Sequence, residues 1–200
     1  NRQTIAEAYK IFNEYIGKLS DQVETEEFTF RPEEFMKQFP DYTIRNLLSL
    51  EESKNFERKS TLKFDLKQNK VMDHITDTIL KTIVAFLNTD GGTLIVGQAD
   101  DKTLIGIEKD KFKNEDDASR FLKDKIKSKI GIKYLETYIS YKFHIYEEKT
   151  ILIINCIKLP GEDRAFLNED EFYIRSGPSN SKLSMKEAIE FIELKSKKIN

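Results

Sequence analysis

The chain is organised around one stretch, Ile79-Leu-Lys-Thr-Ile-Val-Ala-Phe-Leu-Asn-Thr-Asp-Gly-Gly-Thr-Leu-Ile-Val-Gly97. Its first part carries apolar residues at helical spacing, which predicts a helix over Val71–Leu87 that buries a broad stripe. Asn88–Gly92 supplies the helix end and a turn, because glycine adopts a positive φ without steric cost. Thr93–Gly97 is apolar on both faces through Val96 and predicts a central strand.

Length and charge set broad limits on the architecture. The 200 residues fit one domain with an extension, or two small domains. Residues 1–52 hold 6 basic and 11 acidic residues, a net of −5, whereas residues 53–200 hold 27 and 24, a net of +3. Region 109–133 is mildly basic, with 9 basic against 5 acidic residues. This overall balance neither indicates nor excludes a nucleic-acid partner.

Cysteine usage and hydropathy indicate the compartment. The lone Cys156 lies in an apolar strand pattern, so we predict a buried thiol. A single cysteine cannot form a disulfide within the chain, which fits a reducing environment, and we predict a cytoplasmic location. The sequence has no long apolar run and no signal peptide, so we expect no membrane partner. Because the chain begins at Asn1 rather than Met, we expect a fragment or a processed form.

The remaining sequence predicts helices in the N-terminal part and a domain of strands and helices after them. Three helices are expected in the acidic N-terminal part, at Thr4–Leu19, Arg31–Phe39 and Thr43–Leu50. Beyond them we predict a strand at Asn55–Lys59, a hairpin joining Thr93–Gly97 to Thr103–Ile107, a helix at Asp117–Ile130, strands at Tyr138–Tyr146, Thr150–Lys158 and Glu171–Arg175, and a helix from Met185 after the capping box Ser184–Glu187.

These elements predict an α/β (α+β) fold, a mixed β-sheet flanked by helices, with an N-terminal helical extension. The predicted boundaries are an acidic helical segment at 1–48, a core domain at 49–183 and a C-terminal helix at 184–200.

Several residues invite a chemical interpretation that the pattern does not favour. The Gly91-Gly92 turn runs from helix to strand and lacks a following Lys-Ser/Thr, the reverse of a phosphate-binding P-loop, so a structural turn is favoured. His74 and His144 have no partner at metal-site spacing, and Cys156 has no evident base. A hydrolase with a serine or cysteine nucleophile therefore has no support.

Carboxylates and cations leave two interpretations open. Glu52, Glu57 and Asp100, with Asp101 beside it, either converge on a divalent metal that activates water against a phosphodiester or lie solvated at loop edges. Arg175 ends a strand before Ser-Gly-Pro-Ser179, where it either meets a phosphate or forms a strand-end salt bridge. Two interpretations are also open for a series of basic residues, which either contact a nucleic-acid backbone or form a solvated face: Lys111, Lys113, Arg120, Lys123 and Lys127.

Three blocks of sequence resemble the Schlafen AlbA-like domain, which is often labelled a divergent AAA or DNA-binding domain in prokaryotic proteins. They are Glu52-Ser-x-x-x-Glu57-x-Lys59, Ala85-Phe-x-Asn88-Thr-x-Gly-Gly92-x-x-x-x-Gly97-x-x-Asp100, and Phe172-Tyr-Ile-Arg175-x-Gly177. The resemblance covers Leu50–Leu183. Two blocks depart from the usual pattern: Glu57-Arg-Lys59 replaces Glu-Phe-Lys, and Gly97-Gln-Ala-Asp100 replaces Gly-Val-Asp-Asp, so Asp101 competes for the match.

The resemblance implies an α/β domain that binds nucleic acid. In animal Schlafen proteins this domain is a metal-dependent endoribonuclease for transfer and ribosomal RNA that uses three carboxylates. Carried over by motif, these are Glu52, Glu57 and Asp100, which would hold Mg²⁺ or Mn²⁺. Lys59 and Arg175 would stabilise the developing negative charge. The animal enzymes pair two such lobes and this chain has one, so a homodimer would be needed to rebuild that arrangement here.

We therefore expect a cytoplasmic prokaryotic domain that binds RNA of the tRNA type or DNA. Lys59, Arg175, Lys123 and Lys127 are the candidate binding residues, and metal-dependent RNA cleavage is an open hypothesis. The alternative is a non-catalytic DNA-binding, regulatory or protein-interaction module of a larger regulator or defence protein. Many prokaryotic relatives are described only as regulators or binders, so activity does not follow from the fold.

Overall fold

The structure of the protein is a computed structural model that describes residues 40–161 and 163–197. The predicted helices at Thr4–Leu19 and Arg31–Phe39 lie outside these residues. The helices are α1 (Pro40–Ser49), α2 (Asp73–Asn88), α3 (Glu115–Lys129), α4 (Ile132–Tyr138) and α5 (Met185–Lys197), with a short 3₁₀ helix at Ile107–Asp110. The strands are β1 (Phe56–Lys59), β2 (Phe64–Asp65), β3 (Lys70–Val71), β4 (Gly92–Val96), β5 (Ile139–Tyr146), β6 (Lys149–Cys156), β7 (Phe172–Ser176) and β8 (Ser179–Leu183).

A four-stranded mixed sheet forms the centre, in the order β1–β4–β6–β5. β1 runs parallel to β4, and the other two pairs are antiparallel. The β2–β3 and β7–β8 pairs are separate antiparallel hairpins. This architecture confirms the predicted α+β class with a mixed sheet between helices. No described helix combines the length and apolar composition that crossing a membrane would require.

The central strand β4 is buried on both sides, as its uninterrupted apolar sequence predicts. Leu94 and Val96 belong to the large core that α2 and α3 cover. Ile95 points to the opposite side, where α1 contributes Ile44 and Leu48 to a second, smaller core. The sheet therefore separates two apolar clusters.

The turn between α2 and β4 requires glycine at both positions. Gly91 has φ of 74°, and its N–H donates to the Phe86 carbonyl at 3.0 Å, which closes the helix. A Cβ on Gly91 would lie 2.7 Å from the carbonyl oxygen of Cys156. A Cβ on Gly92 would lie 2.6 Å from Cε1 of Phe86 and 2.7 Å from the Asn55 carbonyl oxygen. The turn is thus packed against its neighbours, in agreement with the structural interpretation.

The hairpin predicted between Thr93–Gly97 and Thr103–Ile107 is wrong. β1 and β6 occupy the two edges of β4, so no edge is left for a third partner. The 103–106 segment instead contacts the end of β4 through an isolated bridge between Gln98 and Leu104 and a hydrogen bond from Ile105 N to the Gly97 carbonyl at 2.8 Å.

The predicted capping box is confirmed, since Ser184 N donates to Glu187 Oε2 at 2.8 Å and Glu187 N donates to Ser184 Oγ at 3.3 Å.

Candidate functional site

The three blocks of the sequence pattern meet in one buried cluster around Glu57 and Arg175. Glu57 lies on β1 and Arg175 on β7, 118 positions apart in the chain. Arg175 Nη1 donates to Glu57 Oε2 at 2.6 Å, and Lys59 Nζ contacts the other carboxylate oxygen. The Arg175 side chain is fully buried, and that of Glu57 is 7% exposed. The pair therefore links two distant strands inside the protein.

The remaining contacts of Arg175 extend this link to the turn before β1 and to α2. Its Nη2 donates to the Ser53 carbonyl at 2.6 Å, and Nη1 also donates to Asn180 Oδ1 at 2.9 Å. Asn180 in turn donates to Thr82 Oγ1 on α2 at 2.8 Å. The guanidinium lies 5.1 Å from the centroid of the Phe86 ring, within cation–π range. Arg175 thus anchors the β7–β8 hairpin to the main sheet and to α2.

Asn88 and Thr89, from the second block, attach the same hairpin through its backbone. Asn88 Nδ2 donates to the carbonyls of Ala165 at 2.8 Å and Tyr173 at 3.1 Å, while its Oδ1 accepts from Ala165 N at 2.8 Å. Thr89 Oγ1 accepts from Arg175 N at 3.0 Å. A buried side-chain amide serves here because it offers donors and an acceptor at once. The Asn-Thr pair therefore fixes the position of β7.

The carboxylates predicted to hold a metal lie in different surroundings. Glu52 Oε1 accepts from the backbone N–H of Arg58 at 3.1 Å. Asp100 is exposed in the turn after β4, and its neighbour Asp101 accepts from Thr103 N at 2.9 Å. Within residues 40–161 and 163–197, no group of three or more His, Cys, Asp or Glu side chains is arranged to hold a metal ion.

Glu57 in particular does not fit the role of a ligand for Mg²⁺ or Mn²⁺ in this arrangement. Lys59 contacts one of its oxygens and Arg175 the other, so an added divalent cation would lie beside two positive charges. Sites for these ions are built from several oxygen ligands around the metal. The metal and catalytic roles of Glu52, Glu57, Asp100 and Lys59 stay predictions, and the observed side-chain positions do not favour them.

Comparison with known proteins identifies the family. The profile of the family described as Schlafen, AlbA_2 matches residues 52–184. The chain belongs to this family. The match includes all three sequence blocks and agrees with the extent predicted from them. A search among curated proteins gives no match.

The fold of this AlbA_2 domain is also similar to a solved structure, the crystal structure of the DIP2311 protein from Corynebacterium diphtheriae. The two have a TM-score of 0.52 and 16% sequence identity. The similarity covers 78% of this chain and 28% of that chain, so this AlbA_2 chain corresponds to a minor part of the other protein. At this level of identity the likeness shows the fold alone.

The cations predicted to bind nucleic acid differ in accessibility. Arg175 is buried in the cluster of the AlbA_2 domain and forms an ion pair with Glu57. Of the two interpretations open for this residue, phosphate contact or salt bridge, the structure shows the salt bridge. Lys59 is 28% exposed and contacts Glu57. Lys123 and Lys127 are exposed on α3. Of the four candidates, these last two are therefore the exposed ones, and Lys123 Nζ also lies 6.0 Å from the centroid of the Tyr141 ring.

Helix α3 presents these charges because its two faces differ in character. Ala118, Leu122 and Ile126 are buried, and the Asn114 side chain caps the helix by accepting from Asp117 N at 2.9 Å. Arg120, Lys123 and Lys127 follow one another on the exposed side. None of these three forms an ion pair with any residue in the described part of the chain.

The sequence pattern pointed neither to Arg58 nor to a second group, the lysines of the β2–β3 hairpin. Arg58, on the opposite face of β1 from Glu57, is 1% exposed and donates from Nη2 to the Leu50 carbonyl. Its guanidinium lies 5.5 Å from the centroid of the Phe56 ring, which belongs to the small core under α1. The second group consists of Lys67 and Lys70 on the β2–β3 hairpin, where the density of lysines after Lys63 was the available signal.

Proposed function

We propose that this AlbA_2 domain is a nucleic-acid-binding module and that the outer side of α3 is part of its interface. The row of Arg120, Lys123 and Lys127 is the observation that carries the proposal. Membership in the AlbA_2 family supports a nucleic-acid partner. The partner's phosphates would replace water and counterions around these three side chains.

The pairing of the other lysines on α3 supports the choice of this side. Lys125 Nζ lies 3.4 Å from Asp73 Oδ1, and Lys129 Nζ lies 2.7 Å from Asp77 Oδ1. These two lysines tie α3 to α2 and have their charge compensated. The outer row spans seven positions, about 10 Å of helix axis, which matches the rise of about three nucleotides along one strand.

Salt-dependent binding to labelled nucleic acid tests the proposal. A triple variant with glutamine at Arg120, Lys123 and Lys127 is expected to bind more weakly, with a smaller dependence of affinity on salt concentration. The matched control carries glutamine at Lys54, Lys133 and Lys158, three partly exposed lysines that pair with Asp90 or Asp163. Both variants lose three positive charges. Equal weakening in both would show a general charge effect and contradict a specific interface on α3.

We favour binding without cleavage because Glu57, the carboxylate at the centre of the motif, already contacts a cation through each oxygen, Lys59 through one and Arg175 through the other. The metal-dependent endoribonuclease stays a prediction that needs its own assay. Total tRNA is incubated with Mn²⁺, with and without EDTA, beside Asp100→Asn, which changes an exposed residue and should leave the fold intact. Metal-dependent cleavage that disappears in this folded variant would establish the nuclease and contradict the non-catalytic proposal.

The choice between RNA and DNA and the formation of a homodimer also remain open to measurement. The same binding assay with matched RNA and DNA addresses the first point. Light scattering of the free and bound protein addresses the second, because a dimer doubles the measured mass.

A further inference from the structure

We infer that the β2–β3 hairpin and the loop 109–113 extend the interface beyond α3 and that the combined surface binds the phosphates of a nucleic-acid duplex. This inference rests on the proposed nucleic-acid-binding function and specifies its partner. It concerns a surface outside the three sequence blocks of the family. Three observations support it: the charge of the surface, the anchoring of the hairpin, and the position of the aromatic rings.

The first observation is a set of exposed lysines outside ion pairs. Lys67 and Lys70 lie on the hairpin, and Lys109, Lys111 and Lys113 lie on or beside the loop; all five are exposed. None of them forms an ion pair with a residue of the described ranges, whereas lysines elsewhere, such as Lys133, do. Exposed cations outside ion pairs can neutralise phosphates, which releases counterions from the nucleic acid, and this release drives binding.

The second observation is that buried or partly buried carboxylates fix the backbone under these lysines. Asp110 is completely buried and accepts from the backbone N–H groups of Leu62, Lys63 and Phe64, the last two at 2.7 and 2.9 Å. This contact joins the loop to the base of the hairpin. At the tip, Asp65 Oδ1 accepts from the backbone N–H of Lys67 at 2.8 Å and from that of Gln68 at 2.9 Å. A fixed backbone lowers the entropy lost when the surface binds a partner.

The third observation decides between a duplex and a single strand. Lys63 Nζ lies 3.8 Å from the centroid of the Phe112 ring and 5.2 Å from that of Phe121, so it covers both and connects the hairpin to α3. Lys111 lies over the Phe64 ring at 4.8 Å. Single-strand binders stack bases on open aromatic faces. Phe64 is buried, and Phe112 and Phe121 are partly buried against each other and beside Lys63. These three rings therefore offer no open face for stacking, and the surface offers charge instead. A duplex presents phosphates at the higher density, about one per 1.7 Å of axis.

The test compares a short RNA duplex, a DNA duplex of the same sequence and one of the single strands by fluorescence anisotropy over a series of KCl concentrations. The hairpin variant carries glutamine at Lys67, Lys70 and Lys113. If each lysine contacts one phosphate, the slope of log K against log salt should fall by about 0.9 per residue removed. Circular dichroism checks that the variant is folded, which is expected because the three side chains are exposed.

Each outcome has a defined meaning. A lower affinity and slope for a duplex in the hairpin variant, with weaker binding of the single strand by the wild type, supports the inference. If the hairpin variant binds like the wild type while the α3 variant binds weakly, the inference fails and the proposed function stands. Tighter binding of the single strand at equal salt overturns the duplex partner. If the wild type binds none of the three probes, the proposed function itself fails.

Discussion

Replacing Glu57 with glutamine tests whether this carboxylate is half of a buried ion pair or a metal ligand. The substitution keeps the size of the side chain, removes its charge and leaves Arg175, which is fully buried, without an anionic partner. Removing one partner of a buried ion pair typically costs about 3–5 kcal/mol. Lys59 is 28% exposed and can turn to solvent, so its contact adds little to this cost. We therefore expect Glu57→Gln to lower the free energy of unfolding by about 3 kcal/mol, near the lower bound for such pairs.

The assay is urea unfolding followed by circular dichroism, in buffer with EDTA. The midpoint should fall while the slope of the transition stays constant, because the surface exposed on unfolding is unchanged. A double variant, Glu57→Leu with Arg175→Met, serves as the control. It removes both charges, and apolar residues often replace buried ion pairs without loss. It should regain part of the stability, limited by the lost contacts of Arg175 to Ser53 and Asn180.

The sign of the effect distinguishes the two hypotheses for Glu57. In a metal site, neighbouring carboxylates repel one another when the metal is absent, and removing one charge leaves the metal-free protein equally or more stable. A wild-type or higher midpoint for Glu57→Gln in EDTA would therefore refute the ion-pair argument. Stabilisation of the wild type by Mn²⁺ that is lost in the variant would point to the metal site instead.

Three further predictions concern the fold. Burial raises the pKa of the Cys156 thiol to about 12, so a thiol reagent near pH 8 should modify it only after unfolding, and rapid labelling of the native protein would contradict this. Gly92→Ala places a methyl group 2.6 Å from Cε1 of Phe86 and 2.7 Å from the Asn55 carbonyl oxygen and should cost about 1–3 kcal/mol in urea unfolding; a wild-type midpoint would contradict the close packing of this turn. Ser184→Ala removes the hydroxyl that accepts from Glu187 N and should lower the free energy of unfolding by about 1 kcal/mol. An unchanged thermal midpoint would contradict this prediction.

The central unit of the fold could be predicted because its sequence permits few alternatives. The stretch combines a helix with an apolar stripe, a turn that requires glycine and a strand that is apolar on both faces. This combination predicts a central strand covered by helices. The observed α2 and β4 follow this prediction within two residues at each end. The capping box before α5 was predictable for the same reason, since its two side chains satisfy backbone groups only at a helix start.

Strand pairing was harder to predict because the neighbours of a strand depend on contacts between distant parts of the chain. The segment 103–107 has apolar residues close to β4, yet β1 and β6 take both of its edges from distant parts of the chain. Conversely, β8 forms from the polar sequence Ser-Asn-Ser-Lys-Leu, which carries no strand pattern. It pairs with β7 and is connected to α2 through Asn180, a tertiary contact that periodicity cannot reveal.

The candidate site shows why the sequence blocks identify the family more securely than they identify an activity. Glu57 from the first block, Phe86, Asn88 and Thr89 from the second, and Arg175 from the third all contact one another or the same hairpin. Their common presence is explained by folding, because each fixes the β7–β8 hairpin against α2 or the sheet. Substitutions in the blocks should therefore change stability before they change any activity. The proposed interface consists of residues outside the blocks, and Lys67, Lys113 and Lys123 can be changed without touching the buried cluster, so binding and folding can be measured independently.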